Sequence, residues 1–180
     1  MAILESRKIV FGLGMGFLVL ALLGGCTNSH KGGSQPDKAT APKTSIEPQF
    51  EKEGELYFLS ADGQDTLQKI DIELAERRDE IEYGMMYRKS MDEQTGMLFI
   101  MGFEQPQSFY MKNTYVSLDI IYINTQEEIV SIQKNAKPLD ETSLPSGKPA
   151  SLVLEVKGGF TTKHNIQEGQ KIAWSRLPKS

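Results

Sequence analysis

The stretch QSFYMKNTYVSLDIIYIN, Gln107 to Asn124, places Lys112, Asn113 and Thr114 between two apolar, aromatic runs and sets Asp119 inside the second run. A Lys or Asp among Phe109, Tyr110, Met111, Leu118, Ile120 and Ile121 is costly to bury unless it is paired and hydrogen-bonded. Three arrangements answer that cost, besides plain solvent exposure. In the first, Lys112 with Asp119, or Asn113 with backbone groups, forms a satisfied internal network that fixes a bend. In the second, Lys112, Asn113, Thr114 and Asp119 line a pocket with Arg88 and Glu155, where charged groups meet a polar ligand and Tyr110 adds an aromatic face. In the third, Asp119 and Glu155 approach across neighbouring strands and share acid and base roles on a glycan.

Other chemistries find fewer residues. Met85, Met86, Met91, Met97, Met101 and Met111 are thioether ligands suited to a soft ion such as Cu(I), but their spacing lacks a close repeat and Met is also an adaptable core filler. Of the two histidines, only His164 lies beyond the N-terminal region, which leaves a zinc site or a Ser-His-Asp triad short of members. The sequence therefore implies no metal or cofactor. Ser146-Gly147-Lys148 lacks the glycine-rich lead of a phosphate cradle and reads as a turn.

The elements that must position these residues follow from periodicity. KIDIELA alternates Ile70, Ile72 and Leu74 with Lys69, Asp71 and Glu73, the period-two pattern of a strand with one wet face. ELYFLSA, GMLFIM, SFYMK, SLDIIYI, EIVSIQKNA, ASLVLEVK and KIAWS also read as strands, with a hairpin over Asn124–Glu127. ERRDEIEYGMMYR holds helix formers with no breaker before Gly84 and predicts a short helix; GGFTTKHNI predicts one helical turn or two. PLDETSLPSGKP, with three prolines and a Ser-Gly pair, reads as loop. Lys112–Thr114 predicts a turn, because Asn tolerates left-handed geometry and Asn and Thr bond local backbone. The expected class is mainly β (α+β), a compact antiparallel open barrel or sandwich of about seven short strands with one or two short helices.

The chain has 180 residues and a formal net charge of −4, with no basic stripe, which argues against nucleic-acid binding. Arg7 and Lys8 precede an apolar run that ends in small residues before Cys26, the only cysteine. Residues 1–25 are a secretory signal by composition. The ending LLGGC resembles the lipobox of bacterial lipoproteins, with Leu23, Gly24, Gly25 and Cys26 at its positions, which implies lipidation, for instance by palmitate, at Cys26. An uncleaved anchor helix is the alternative, and both put the remainder outside the cytoplasm. Residues 26–49 are rich in Ser, Thr, Pro, Lys and Gly and are expected to form a flexible tether with a reach of about 25 Å. Residues 50–180 are expected to form one globular domain.

GMMYRKSM, GMLFIM, FYMKNTYVSLDIIYI and LVLEVKGG occur in the order and spacing of a bacterial and archaeal family, the domain of unknown function 192, which the chain resembles from about Lys69 to Trp174. The resemblance implies a compact, mainly β domain, often exported or lipid-anchored, with no established activity. The family's characteristic polar positions fall on Arg88, Lys112, Asn113, Thr114, Asp119 and Glu155. Tyr110 stands where the family commonly has Trp, and Ser117 where it commonly has Pro, which frees a backbone N–H at the bend. The functional expectation is an exported, lipid-anchored envelope module that binds a polar ligand, a glycan or a peptide, at Arg88, Tyr110, Lys112, Asn113, Thr114, Asp119 and Glu155. A hydrolase or transferase using Asp119 and Glu155, and a purely structural or interaction protein, are the alternatives.

Overall fold

The structure is a computed structural model that describes residues 47–178. The expected signal segment, Cys26 and most of the expected tether lie outside the described residues. Lys43–Ser180 is one compact unit.

Seven strands among the described residues form one sheet: β1 Gly54–Leu59, β2 Thr66–Ala75, β3 Thr95–Phe109, β4 Leu118–Ile123, β5 Ile129–Ala136, β6 Leu144–Lys157 and β7 Lys171–Arg176. Their order is β5-β4-β6-β3-β2-β1-β7. The outer strands of that order, β5 and β7, converge at one end: Ile129 N donates to Gln170 O at 2.8 Å, Gly169 N to Ile129 O at 2.9 Å and Ile172 N to Glu127 O at 2.8 Å. Those bonds curl the sheet into an open barrel, as the sequence pattern predicts, and shield two otherwise unpaired strand ends.

One core fills the concave side. Leu56, Phe58, Ile70, Ile72, Leu98, Ile121, Ile123, Leu154 and Val156 meet there with Phe160 of the short helix α2, Phe160–Lys163. Alternation sends the intervening residues to the convex side, where Met97, Phe99, Ile120, Tyr122 and Val153 form a second cluster. A cover is required over that apolar surface. β2 and β3 run parallel, the one parallel pair in an otherwise antiparallel sheet. A parallel pair needs a crossover, and the crossover carries α1, Arg78–Tyr83, and Met85 over the convex face.

Three sequence-derived elements differ in the structure. GMLFIM and the start of SFYMK, Ser108 and Phe109, are one strand, β3, because a bulge between Ile100 and Gln105 absorbs Gly102 in the left-handed region (φ 77°) without ending the pairing to β6, while Tyr110, Met111 and Lys112 lie beyond the strand's end. PLDETSLPSGKP is not all loop: β6 begins at Leu144, with Pro149 opposite Pro106 and Pro145 opposite Ser108. These prolines sit where the ladder shifts register, so the missing N–H groups cost little. Glu73, expected on the wet face of β2, is buried.

Candidate functional site

Asp119 and Glu155 lie in paired strands, but on opposite faces. Ile120 is the register partner of Glu155 and Val156 that of Asp119, so Asp119 points with Ile121 toward the concave core and Glu155 with Ile120 toward the convex cluster. The proposed acid and base pair is therefore corrected: the sheet separates the two carboxyl groups.

Asp119 is fully buried and fully occupied. Its Oδ1 accepts from Asn135 N at 2.7 Å and Gly159 N at 3.1 Å; its Oδ2 accepts from Thr161 N at 2.9 Å and Thr161 Oγ1 at 2.6 Å. Four donors saturate the carboxylate and fasten β4 to the end of β5 and the start of α2. No oxygen is left to face a ligand, so Asp119 leaves the binding set.

Lys112 is exposed at a turn and lines none of the three clefts described below, which corrects its expected place in a pocket. Asn113 takes the left-handed geometry expected of it (φ 53°). Its carbonyl accepts from Tyr87 N at 2.8 Å and its Nδ2 donates to the Tyr87 hydroxyl at 2.9 Å, tying this turn to the segment after α1. Ser117 holds the following bend in place of a Pro: its hydroxyl donates to Ala136 O at 3.1 Å and its carbonyl accepts from Gly158 N at 2.8 Å. The polar groups of the Lys112–Asp119 stretch are thus met mainly by backbone and by one another.

Arg88 is buried, and its partner is Glu73. Arg88 Nη2 donates to Glu73 Oε1 at 2.9 Å, and Nη1 lies 2.7 Å from Oε2. Glu73 Oε1 also accepts from Glu51 N at 3.0 Å, and Glu47 Oε1 accepts from Lys89 N at 2.6 Å, so the chain leading into β1 is strapped across this ion pair. Two clefts flank the pair, of about 480 and 320 Å³.

Glu155 has a different setting. It is 4% exposed, and among the described residues its Oε2 has no hydrogen-bond partner. Burial pushes its carboxyl up to about 8, against a smaller opposing pull from Arg88. The neighbouring Tyr122 hydroxyl, which donates to Leu144 O, is pushed upward in turn, first by burial and then by the Glu155 charge. Glu155 forms the floor of a cleft of about 200 Å³ walled by Tyr83, Met85, Met86, Phe99, Met101, Phe109, Tyr110 and Thr114, with Glu82 also lining it. Phe99 and Phe109 meet edge to face at 5.1 Å, and Gly84 (φ 44°) lets the crossover pass close: a Cβ there would lie 2.9 Å from Phe99 Cζ.

The structure therefore brings Tyr110, Thr114 and Glu155 of the expected set to one cleft, leaves Arg88 behind it, and puts Asn113, Lys112 and Asp119 elsewhere. Sequence reasoning missed Glu82 and Tyr83 of α1 at this cleft, and it missed Glu73, the buried partner of Arg88. His164 stacks on Phe160 (4.5 Å between ring centroids) and lies 3.2 Å from Glu93, a partly buried helix-end role. Met85, Met97 and Met111 are buried core, and Met85 walls the cleft together with Met86 and Met101.

The family model described as "Uncharacterized ACR", the domain of unknown function 192, matches residues 59–174. The chain belongs to this family. No protein of curated function matches it. Among solved structures, one from Sinorhizobium meliloti, provisionally described as a transcription regulator, shares 30% identity with a TM-score of 0.65, over 71% of this chain and 98% of that one. A protein of unknown function from Novosphingobium aromaticivorans shares 32% identity with a TM-score of 0.62, over 67% of this chain and 84% of that one. The fold of this member of the domain of unknown function 192 family is thus shared with both, and neither description names a reaction.

Proposed function

We propose that this chain is an exported binding module, held at a membrane by lipidated Cys26, that takes a polar ligand, a peptide or a glycan, in the cleft over Glu155. One observation carries the reading: a buried carboxyl group with an oxygen that has no partner among the described residues lines an apolar, aromatic cleft. A buried polar group left unpaired costs about 1–3 kcal/mol, which a ligand that hydrogen-bonds it would recover. Perturbed carboxyl groups in clefts gather at functional sites for the same reason. Of the expected binding residues, Tyr110, Thr114 and Glu155 contribute directly; Arg88 acts from behind through its field on Glu155.

Methyl-labelled methionine reports on the cleft. In the unit Lys43–Ser180, a panel of short glycans and tripeptides should include a ligand that shifts the Met85, Met86 and Met101 methyl signals saturably and leaves Met91 unchanged. A panel-wide absence of saturable shifts at those three residues would sink the binding reading. Anchoring has its own test: Cys26→Ser in the full chain should move the protein from the membrane to the soluble fraction of expressing bacteria, and an unchanged membrane fraction would refute lipidation as the anchor.

A further inference from the structure

We infer that the cleft over Glu155 is a cation site: it takes an alkylammonium group, such as a peptide lysine side chain presents, with the apolar stem against Met86 and Phe109 and the ammonium on the Glu155 carboxylate. This rests on the binding reading above and narrows its ligand.

Three observations converge. First, the ionisable groups that line the cleft are the carboxyls of Glu82 and Glu155 and the phenols of Tyr83 and Tyr110, with no Lys, Arg or His among them. Such a lining repels anions and favours cations. Second, the walls are aromatic rings and thioethers, and an aromatic face attracts an ammonium most strongly where water is excluded. Tyr83 and Tyr110 stay exposed enough to receive one at the mouth. Third, Glu155 lines the cleft, and its Oε2 is buried with no partner among the described residues. At about 200 Å³ the cleft lies below the roughly 300–1,000 Å³ of typical small-molecule pockets, so it holds one side-chain-sized head group rather than several sugar rings.

The groups that face Glu155 set its behaviour. Arg88, from the crossover, attracts its charge, but Arg88 is itself paired with Glu73 of β2; Tyr122 of β4 packs beside it, and Glu82 and Tyr83 of α1 approach from the mouth. Burial keeps the empty site protonated near neutrality. Binding an ammonium therefore releases the Glu155 proton to solvent and leaves a buried, paired carboxylate.

The probe is n-butylammonium chloride, with n-butanol as its neutral counterpart, added to methyl-methionine-labelled Lys43–Ser180. We expect n-butylammonium to shift the Met85, Met86 and Met101 methyls saturably, with affinity rising about tenfold from about pH 7 to about pH 9 as Glu155 loses its proton. Glu155→Gln should weaken that binding at least tenfold while its dispersed methyl spectrum reports an intact fold. Equal shifts from n-butanol, or undiminished binding by Glu155→Gln, would overturn the cation assignment. Shifts from a glycan but not from n-butylammonium would overturn it and leave the binding reading standing, whereas silence from every probe would remove both.

Discussion

Asp119 and Glu155 are carboxylic residues nearly sealed from water, one register step apart on paired strands, and they illustrate how differently a buried acid can be kept. Asp119 meets four donors, so its charge is held by geometry and its removal breaks bonds in three elements at once. Asp119→Asn should cost about 2–4 kcal/mol in urea unfolding, because the amide replaces an acceptor with a donor facing an N–H. Lys112→Ala, at an exposed turn, should stay within about 0.5 kcal/mol. Similar losses for the two variants would contradict the division between structural and exposed residues. Sequence alone showed that both residues were unusual; it could not separate them, since a saturated carboxylate and an exposed lysine look alike in a one-dimensional pattern.

At the scale of elements, periodicity exposed the strands that alternate cleanly, such as β1, and the buried β4. Breaker residues misled where pairing overrode them. Gly102 and Pro106 look like the end of a strand, and Pro145, Gly147 and Pro149 like a loop, yet the β3–β6 pairing carries through both by shifting register at its bulges. Glu73 looked solvent-facing because strand alternation says nothing of what later crosses above a strand. The parallel β2–β3 pair was also illegible, as it depends on where a 19-residue connection lands. That connection matters most for the site. It brings Tyr83, Met85 and Met86 over the convex face, where they close the cleft that Phe99, Met101 and Phe109 of β3 wall from the sheet side.

The whole molecule joins a well-supported fold to a site that works against stability. Its barrel is fastened at Asp119, its inlet chain is strapped over Glu73–Arg88, and its convex face keeps an acid with an oxygen that has no partner among the described residues. Function retained at a cost to the fold is the usual reason for such a feature. Because the folded carboxyl titrates near 8 and the unfolded one near 4.5, the native state holds a proton that the unfolded chain gives up between those values. Stability from Glu155 is therefore full below about pH 4.5, declines by up to about 1.4 kcal/mol per pH unit as pH rises toward 8, and is level above. The most direct measurement is urea unfolding of Lys43–Ser180, wild type against Glu155→Gln, from about pH 5 to about pH 9. The account predicts a variant that gains on the wild type as pH rises and is the more stable of the two above about pH 8; parallel profiles, or a variant that is weaker at every pH, would contradict it.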